Sequence, residues 1–400
     1  MRKIVKTAAF ELQNGRGGDI IHGSMKKVFA AAGRFIKGEV VLCVAILAAI
    51  ISMFFVPPDS GYSDYIDWDT LALLFALMGV MKGFQAAGLF SFLAGKLLKK
   101  ADTPRKLAAV LVFLPFVLSM LVTNDVSLIT FVPFGIIVLK AACMEKMIIP
   151  VVVLQTLAAN LGSTLTPMGN PQNLYLYNSS GMGFGDVIIT MLPYAVLSAV
   201  MLAVAVLFFK GGKIECVQTE ATLGSKFSLI WPAVGFAVCL TGLFDLLSPL
   251  IIAAAMLVFL IIFDRKSLIK IDYSLLGTFI ALFIFIGNMG RIEAFRSFIE
   301  GIIEGNEVVV SVLASQIISN VPAALLLSGF STHWTALMIG CNLGGLGTLI
   351  ASMASLISYK SLAKEYPEKR AKYLLRFTIF NVIFLAALLA LYFILSLIIK

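Results

Sequence analysis

The chain has 400 residues, of which 60% are hydrophobic and 13% carry a charge, and its net charge is +9 at pH 7. Soluble domains are typically about 25% charged, so this composition excludes a sizeable soluble domain and places function among membrane helices. The basic residues concentrate in short loops between apolar runs, as cytoplasmic loops do. The positive charge therefore indicates membrane topology, and we expect no nucleic-acid partner.

In chain order, residues 1–37 form a basic segment that lacks a signal-peptide pattern, and we expect it to be cytoplasmic. Residues 38–209 form a first transmembrane repeat. Residues 210–248 contain a cytoplasmic loop and a linking helix, and residues 249–400 form a second repeat. Apolar runs predict full spans at 38–56, 68–84, 148–177, 187–209, 227–247, 249–263, 273–290, 334–358 and 375–399.

Two further apolar segments are too interrupted to cross the membrane once. Segment 107–139 has basic loops on both sides, so it returns to the cytoplasm, whereas segment 308–330 enters from the outside and returns there. The second segment has arms of about 12 and 9 residues, or roughly 18 and 14 Å at 1.5 Å per residue. A bilayer core is about 30 Å thick. Both segments are therefore predicted to be re-entrant hairpins, and the second tip should stop near the midplane.

The two hairpins share a sequence pattern of two hydroxyl residues one helical turn apart, followed by asparagine. It occurs as Ser119 to Asn124 and as Ser315 to Asn320. Each hairpin precedes a glycine-rich interruption that opens with Asn-Leu-Gly, within spans 148–177 and 334–358. The loop charges make these two spans run in opposite directions. The sequence thus predicts an all-α polytopic membrane protein with two inverted repeats, each holding a re-entrant hairpin and a broken transmembrane helix.

Interrupted helices at matching places in inverted halves are typical of transport sites near the midplane. The N-termini of half-helices attract anions, while carbonyl and hydroxyl oxygens at the breaks suit a cation such as sodium. The predicted substrate-binding residues are Thr123, Asn124, Asp125, Ser163, Thr164, Asn170, Ser319, Asn320, Gly345 and Thr348. The candidate sodium ligands are Ser119, Thr123, Asn124 and Gly162 in the first half, and Ser315, Ser319, Asn320 and Gly344 in the second.

Asp125 carries the sharpest functional hypothesis, because a carboxylate near mid-membrane is costly and usually functional. It would carry a proton or hold a cation, and the alternatives are a helix N-cap in a polar cavity or a surface residue if the first hairpin fully spans the bilayer. Lys82 lies near the inner end of its span, where we expect its side chain to reach the interface. Asp272 lies at the end of a span and is expected to be a boundary residue.

These motifs resemble the ion transporter superfamily that includes divalent-anion:sodium symporters, citrate transporters and arsenite permeases. The triplets starting at Thr123 and Ser319 match the Ser-Asn-Thr hairpin tips of dicarboxylate symporters in their first two positions and depart in the third. The Asn124-Asp125 hairpin is similar to that of arsenite permeases, as is the region from Gly340 to Ser355. The resemblance implies an elevator mechanism, in which a transport domain slides against a scaffold that forms a homodimer.

We therefore expect a secondary active transporter in the cell (inner) membrane, with a cytoplasmic N-terminus. It would move a small anion, such as citrate, a dicarboxylate or an oxyanion, coupled to sodium or protons by alternating access. Its partners would be the anion, the lipid bilayer and a second copy of the chain, with no cofactor beyond a coupling sodium ion. The alternatives are an arsenite efflux permease and a sodium/proton antiporter. A membrane-embedded enzyme is disfavoured because His333 has no acidic partner nearby in sequence.

Overall fold

A computed structural model describes residues 39–98, 101–209 and 223–398. Within these ranges the regular structure consists of eighteen α-helices and four short 3-10 turns, without a strand. This confirms the all-α part of the fold prediction. The basic segment 1–37 and most of the cytoplasmic loop expected after residue 209 lie outside the described residues.

The helices are numbered in chain order, and a central helix, α9, separates two groups. The first group comprises α1 (Val40–Met53), α2 (Trp68–Ala86), α3 (Leu89–Leu98), α4 (Pro104–Leu118), α5 (Asn124–Ala141), α6 (Glu145–Gly162), α7 (Pro171–Ser180) and α8 (Phe184–Leu207), and α9 spans Lys226–Leu243. The second group comprises α10 (Pro249–Phe263), α11 (Arg265–Ile269), α12 (Tyr273–Gly290), α13 (Glu293–Ile303), α14 (Glu307–Ile318), α15 (Asn320–Ser328), α16 (Trp334–Gly344), α17 (Met353–Glu365) and α18 (Arg370–Ile398).

Seven helices in the described part of the chain are long and apolar enough to cross a membrane, namely α2, α5, α6, α8, α9, α12 and α18. The protein is therefore a multi-pass membrane protein. Of the expected full spans, 38–56 is shortened to α1, whereas 249–263 has its predicted bounds in α10, and both helices are short for a bilayer crossing. Helices α1 and α10 have 14 and 15 residues, or about 21–22 Å, which is less than the roughly 30 Å of a bilayer core.

Segment 107–139 folds as α4 and α5, joined by a short turn. Helix α4 begins where Thr103 Oγ1 accepts a hydrogen bond from Lys106 N (3.2 Å), with proline in its first turn. The Ser127 hydroxyl of α5 donates to the Pro115 carbonyl of α4 (3.4 Å) and joins the two arms. Buried Gln155 of α6 donates to one carbonyl of each arm at 3.0 Å. This hairpin is thereby fixed to α6 along its length.

Segment 308–330 folds as α14 and α15, which join directly at Ser319. This residue has φ 75° and ψ 155°, a combination that non-glycine residues rarely adopt and that costs of order 1–3 kcal/mol. The span expected at 148–177 is divided into α6 and α7 by residues 163–170, here named break 1. The span expected at 334–358 is divided into α16 and α17 by residues 345–352, here named break 2. The direction of each half across a bilayer remains a prediction.

Candidate functional site

The tip of the first hairpin is attached to the first broken span by an asparagine pair. Asn124 is the first residue of α5 and is buried. Its side-chain Nδ2 donates to Asn160 Oδ1 in α6 at 3.1 Å, and its Oδ1 accepts a hydrogen bond from the Asp125 backbone at 2.9 Å. A buried carboxamide requires partners, and here α6 supplies one. The orientation of Asn124 is thereby fixed, and with it the position of Asp125.

Asn160 extends this network into the second broken span. Its Nδ2 donates to Ser355 Oγ at 3.1 Å, and its Oδ1 also accepts a hydrogen bond from Ser352 Oγ at 3.2 Å. Ser352 is the last residue of break 2, and Ser355 lies in the first turn of α17. Asn160, which opens the first Asn-Leu-Gly motif, therefore contacts the start of α17, the helix that follows break 2.

Asn342 opens the second Asn-Leu-Gly motif and makes the reciprocal contact. Its Oδ1 accepts from Asn170 Nδ2 at 3.1 Å, and its Nδ2 donates to Asn173 Oδ1 at 2.6 Å. Asn170 ends break 1, and Asn173 lies in the first turn of α7. In each case, an asparagine of one broken span contacts two residues, three positions apart, where the second helix of the other broken span begins. A twofold relation between the broken spans would produce this reciprocity.

The tip of the second hairpin lies against the same region. The backbone N–H of Asn320 donates to the Ala351 carbonyl at 2.9 Å, and Ser319 Oγ donates to that carbonyl at 3.4 Å. Ala351 precedes Ser352, which is bonded to Asn160. Asn170 of break 1 donates to Ser163 Oγ at 3.3 Å, and Ser163 Oγ donates to the Asn160 carbonyl at 2.8 Å. Both hairpin tips and both breaks thus meet in one buried cluster of hydrogen bonds.

Two glycines permit the hairpins to approach the broken spans. A Cβ built on Gly162 would lie 2.0 Å from the Phe116 carbonyl oxygen and 2.6 Å from Ser119 Oγ. A Cβ built on Gly344 would lie 2.4 Å from Ser315 Oγ. Within each half, two of the candidate sodium ligands are therefore in direct contact, Ser119 with Gly162 and Ser315 with Gly344. Both serine hydroxyls donate to a carbonyl of their own helix, at 3.0 Å for Ser119 and 2.7 Å for Ser315.

A cavity opens beside the first hairpin tip, between α2, the start of α12 and break 1. Three predicted site residues line it, namely Thr123, Asp125 and Asn170. Lys82 and Asp272, which the sequence places at span ends, line the same cavity. Its remaining wall is apolar, formed by Leu74, Leu77, Met78, Val126, Ile129, Met168, Pro171, Leu174, Leu275 and Ile357. An apolar cavity with a few converging polar groups has the composition of a small-ligand site.

The other predicted site residues lie outside this cavity wall. Ser163 and Thr164 are buried in break 1, where each hydroxyl donates to a carbonyl of its own turn at 2.8 Å. Asn320 lies close to Gly345, since a Cβ built on that glycine would be 2.9 Å from Asn320 Nδ2. Thr348 is exposed in break 2. The structure therefore divides the predicted residues among the first hairpin tip, the cavity beside it, the interior of break 1 and a cluster at break 2.

Several structural partners cannot be identified from sequence spacing. Gln316 of α14 reaches into break 2 and Asn173 of α7 reaches into break 1, and neither belongs to the predicted set. His333 has an acidic partner after all, because its Nδ1 lies 2.5 Å from Oε1 of the buried Glu307, 26 residues earlier. This pair joins the starts of α14 and α16. Among the described residues, no cluster of three or more histidine, cysteine, aspartate or glutamate residues could hold a metal ion.

The membrane helices and the comparisons with known proteins define a membrane transporter of the citrate transporter and arsenite permease type. A family model described as citrate transporter matches residues 28–333, and the chain belongs to this family within the ion transporter superfamily. An uncharacterised transporter of Methanocaldococcus jannaschii is 34% identical over 300 residues, covering 74% of this chain and 81% of that protein. The inner membrane protein YbiR of Escherichia coli is 32% identical over 338 residues, covering 82% and 89%. The silicon efflux transporter LSI3 of Oryza sativa is 30% identical over 195 residues, covering 46% and 39%.

Proposed function

We propose that the chain is a secondary active transporter that moves a small anion, such as citrate or another carboxylate, across the cell membrane by alternating access. The observation that carries this proposal is the cavity shared by Thr123, Asp125, Asn170 and Lys82. It lies where a hairpin tip and a broken span meet, which is the place expected for a substrate site in transporters of this architecture.

The cavity combines two features that favour an anion. Asn170 caps α7 by accepting a hydrogen bond from Asn173 N at 2.8 Å, so the positive end of the α7 dipole faces the cavity rim. Lys82 adds a full positive charge to the same wall. An aliphatic ammonium group is a mobile point charge that suits carboxylates and oxyanions.

Asp125 supports a coupled mechanism. An ionised carboxylate in the cavity would repel an anion, unless a proton or a metal cation neutralises it. Binding of the anion would then favour binding of the proton or cation that neutralises Asp125. The anion and that proton or cation would be transported together. This linkage would supply coupling to a proton or sodium gradient, with Asp125 and the Ser119 and Ser315 hydroxyls as candidate sodium ligands.

The transport cycle proposed here is of the elevator type. The hairpins and broken spans, which the buried asparagine network joins, would move as one domain in a homodimer with cytoplasmic N-termini. Helix α2, which carries Lys82, would belong to the scaffold. The reciprocal contacts of Asn160 and Asn342 support two related halves, as the inverted-repeat hypothesis requires.

Efflux of a small neutral hydroxide, such as arsenite, is the second candidate. The cavity holds two carboxylates, Asp125 and Asp272, against one lysine, and this balance disfavours a dianion. One relative is named a silicon efflux transporter, and a Dictyostelium discoideum relative, 26% identical over 143 residues, is named putative transporter arsB. A sodium/proton antiporter that uses Asp125 remains an alternative within the same cavity.

Reconstituted liposomes would distinguish these functions. Uptake of labelled carboxylates, oxyanions and arsenite is measured under imposed sodium or proton gradients. We expect gradient-driven uptake of a carboxylate or oxyanion, and transport of arsenite alone would favour the second candidate. Transport of sodium or protons without any of these solutes would favour the antiporter.

Lys82→Gln tests the cavity itself, with Lys96→Gln on the exposed face of α3 as the matched control. Loss of a charge-assisted contact costs about 1.5–3 kcal/mol, so the KM for the anion should rise at least about tenfold in Lys82→Gln. It should be unchanged in Lys96→Gln. Equal KM values in both variants would exclude Lys82 from anion binding.

A further inference from the structure

Main-chain carbonyls of each break accept hydrogen bonds from a carboxamide side chain of a neighbouring helix. In break 2 this group belongs to Gln316, which projects from the first arm of the second hairpin. In break 1 it belongs to Asn173, which projects from the first turn of α7. The two residues come from different elements and different sequence motifs, yet they make the same kind of contact.

Gln316 lies among the carbonyl groups of break 2 and its flanking turns. Its Nε2 donates to Gly344 O at 3.0 Å, to Leu346 O at 2.9 Å and to a carbonyl of its own helix at 3.1 Å. Its Oε1 accepts a hydrogen bond from Thr348 N at 2.8 Å. Gly347 has φ +103°, and a Cβ there would lie 2.4 Å from Gln316 Oε1. The Gln316 carboxamide therefore fixes the backbone conformation of break 2 through hydrogen bonds to its main chain.

Asn173 makes similar contacts with the carbonyls of break 1. Its Nδ2 lies 3.4, 3.1 and 3.2 Å from the carbonyl oxygens of Ser163, Thr164 and Thr166. Its Oδ1 accepts the hydrogen bond from Asn342 described above. The side chain is completely buried, so its partners must come from the protein.

Main-chain carbonyls released at a helix break need a positive partner, because the hydrocarbon supplies none. In transporters with broken helices this partner is commonly a cation. The amide nitrogens here have three oxygens at 2.9–3.4 Å, which are hydrogen-bonding distances. A hard metal ion would bind the same oxygens far closer, for example at 2.3–2.6 Å for calcium. A carboxamide and a metal ion therefore exclude each other from this position.

We propose that Gln316 and Asn173 are positioning residues that take the place of metal cations at the two breaks. Neutral carboxamides then satisfy the main-chain carbonyls of both breaks by hydrogen bonding. These carbonyls therefore do not bind the coupling ion. The consequence for coupling rests on the proposed transport function, whereas the structural role of the two carboxamides does not.

The test converts one carboxamide into a carboxylate. Gln316→Glu places an anionic oxygen among the carbonyls of break 2 and creates a cation site. Gln85→Glu is the matched control, because Gln85 is a part-buried residue of α2 whose side chain donates to Thr130 at 3.4 Å, with no hydrogen bond to either break among the described residues. The purified full-length proteins are unfolded thermally in sodium chloride and in choline chloride, at equal ionic strength and fixed pH.

Sodium bound at Asp125 would raise the midpoints of the wild type and the variants alike, so the proposal is tested by the difference between them. The Gln316→Glu midpoint should fall in choline and gain more from sodium than the wild-type midpoint does, whereas Gln85→Glu should gain no more than the wild type. A Gln316→Glu protein whose gain from sodium does not exceed that of the wild type would overturn the proposal. If Gln316→Glu does not fold, Asn173→Asp beside break 1 is compared with the wild type in the same way. Failure of anion uptake would refute the proposed function and leave these midpoints unaffected.

Discussion

Replacing Gly162 with alanine tests whether close contact between the first hairpin and α6 is necessary. The new Cβ would lie 2.0 Å from the Phe116 carbonyl oxygen, whereas ordinary contact begins at 3.4 Å, so α4 and α6 must separate by about 1.4 Å. The obstructing atom belongs to the main chain and cannot rotate away. Overpacking of this kind costs about 1–3 kcal/mol, and the gain in helix propensity from glycine to alanine offsets only about 0.5–1 kcal/mol of it.

The assay combines thermal unfolding of the purified protein with uptake into liposomes. Gly162→Ala should lower the unfolding midpoint. It should also reduce uptake, because the displacement separates Asn124 from Asn160. Gly344→Ala should have a smaller effect, since its nearest obstacle is the Ser315 side chain. Gly185→Ala is the control, because no atom lies within 4 Å of its new Cβ. A Gly162→Ala protein with wild-type midpoint and uptake would refute the reasoning.

Three further predictions concern polar residues. Asn124→Ala and Asn320→Ala should each abolish uptake while membrane insertion, measured by surface labelling, remains normal, and wild-type transport by either variant would remove that residue from the site. Asp125→Asn should change the dependence of uptake on pH or sodium in liposomes with imposed gradients, and an unaltered coupling profile would make Asp125 structural. The third concerns the ion pair between Asp59, in the loop before α2, and Arg291, which follows α12. The Arg291 guanidinium donates to the Asp59 carboxylate at 2.7 Å and lowers the pKa of that carboxyl below its ordinary value of 3.8. Because this pKa is lower in the folded state, the ion pair stabilises the fold above pH 3.8 and its contribution is lost as the pH falls further. Arg291→Gln should remove this small acid-dependent loss from the unfolding midpoint, and an identical acid profile in both proteins would contradict the assignment.

Helix breaks were the most predictable part of the fold. Asn170-Pro171 stops one helix and starts the next, and Asn170 makes the expected cap. Helix α3 was not predicted, since its ten residues lie beside basic residues that indicate a loop. It packs buried Phe90 edge-on against Phe131, with ring centres 6.3 Å apart. A short helix whose stability depends on tertiary packing leaves little periodic signal.

The chemistry of the site was only partly predictable, because spacing identifies neighbours along a helix and not across the fold. Thr123, Asp125 and Asn170 share a cavity, as residues at helix breaks in one half should. Lys82 reaches this cavity from a different helix, and nothing in its local sequence distinguishes it from a lysine at the membrane interface. Gln316 adjoins a predicted serine, yet its role depends on carbonyls about thirty residues away.

The reciprocal asparagine contacts also have an evolutionary consequence. Asn160 depends on Ser355, and Asn342 depends on Asn173, across separations of 195 and 169 residues. A change of size or polarity at one member leaves a buried group without its partner. Among related sequences, substitutions at positions 160 and 355 should therefore occur together, as should those at 342 and 173. Such paired changes would show that each half of the chain is selected together with the other, as one packed unit.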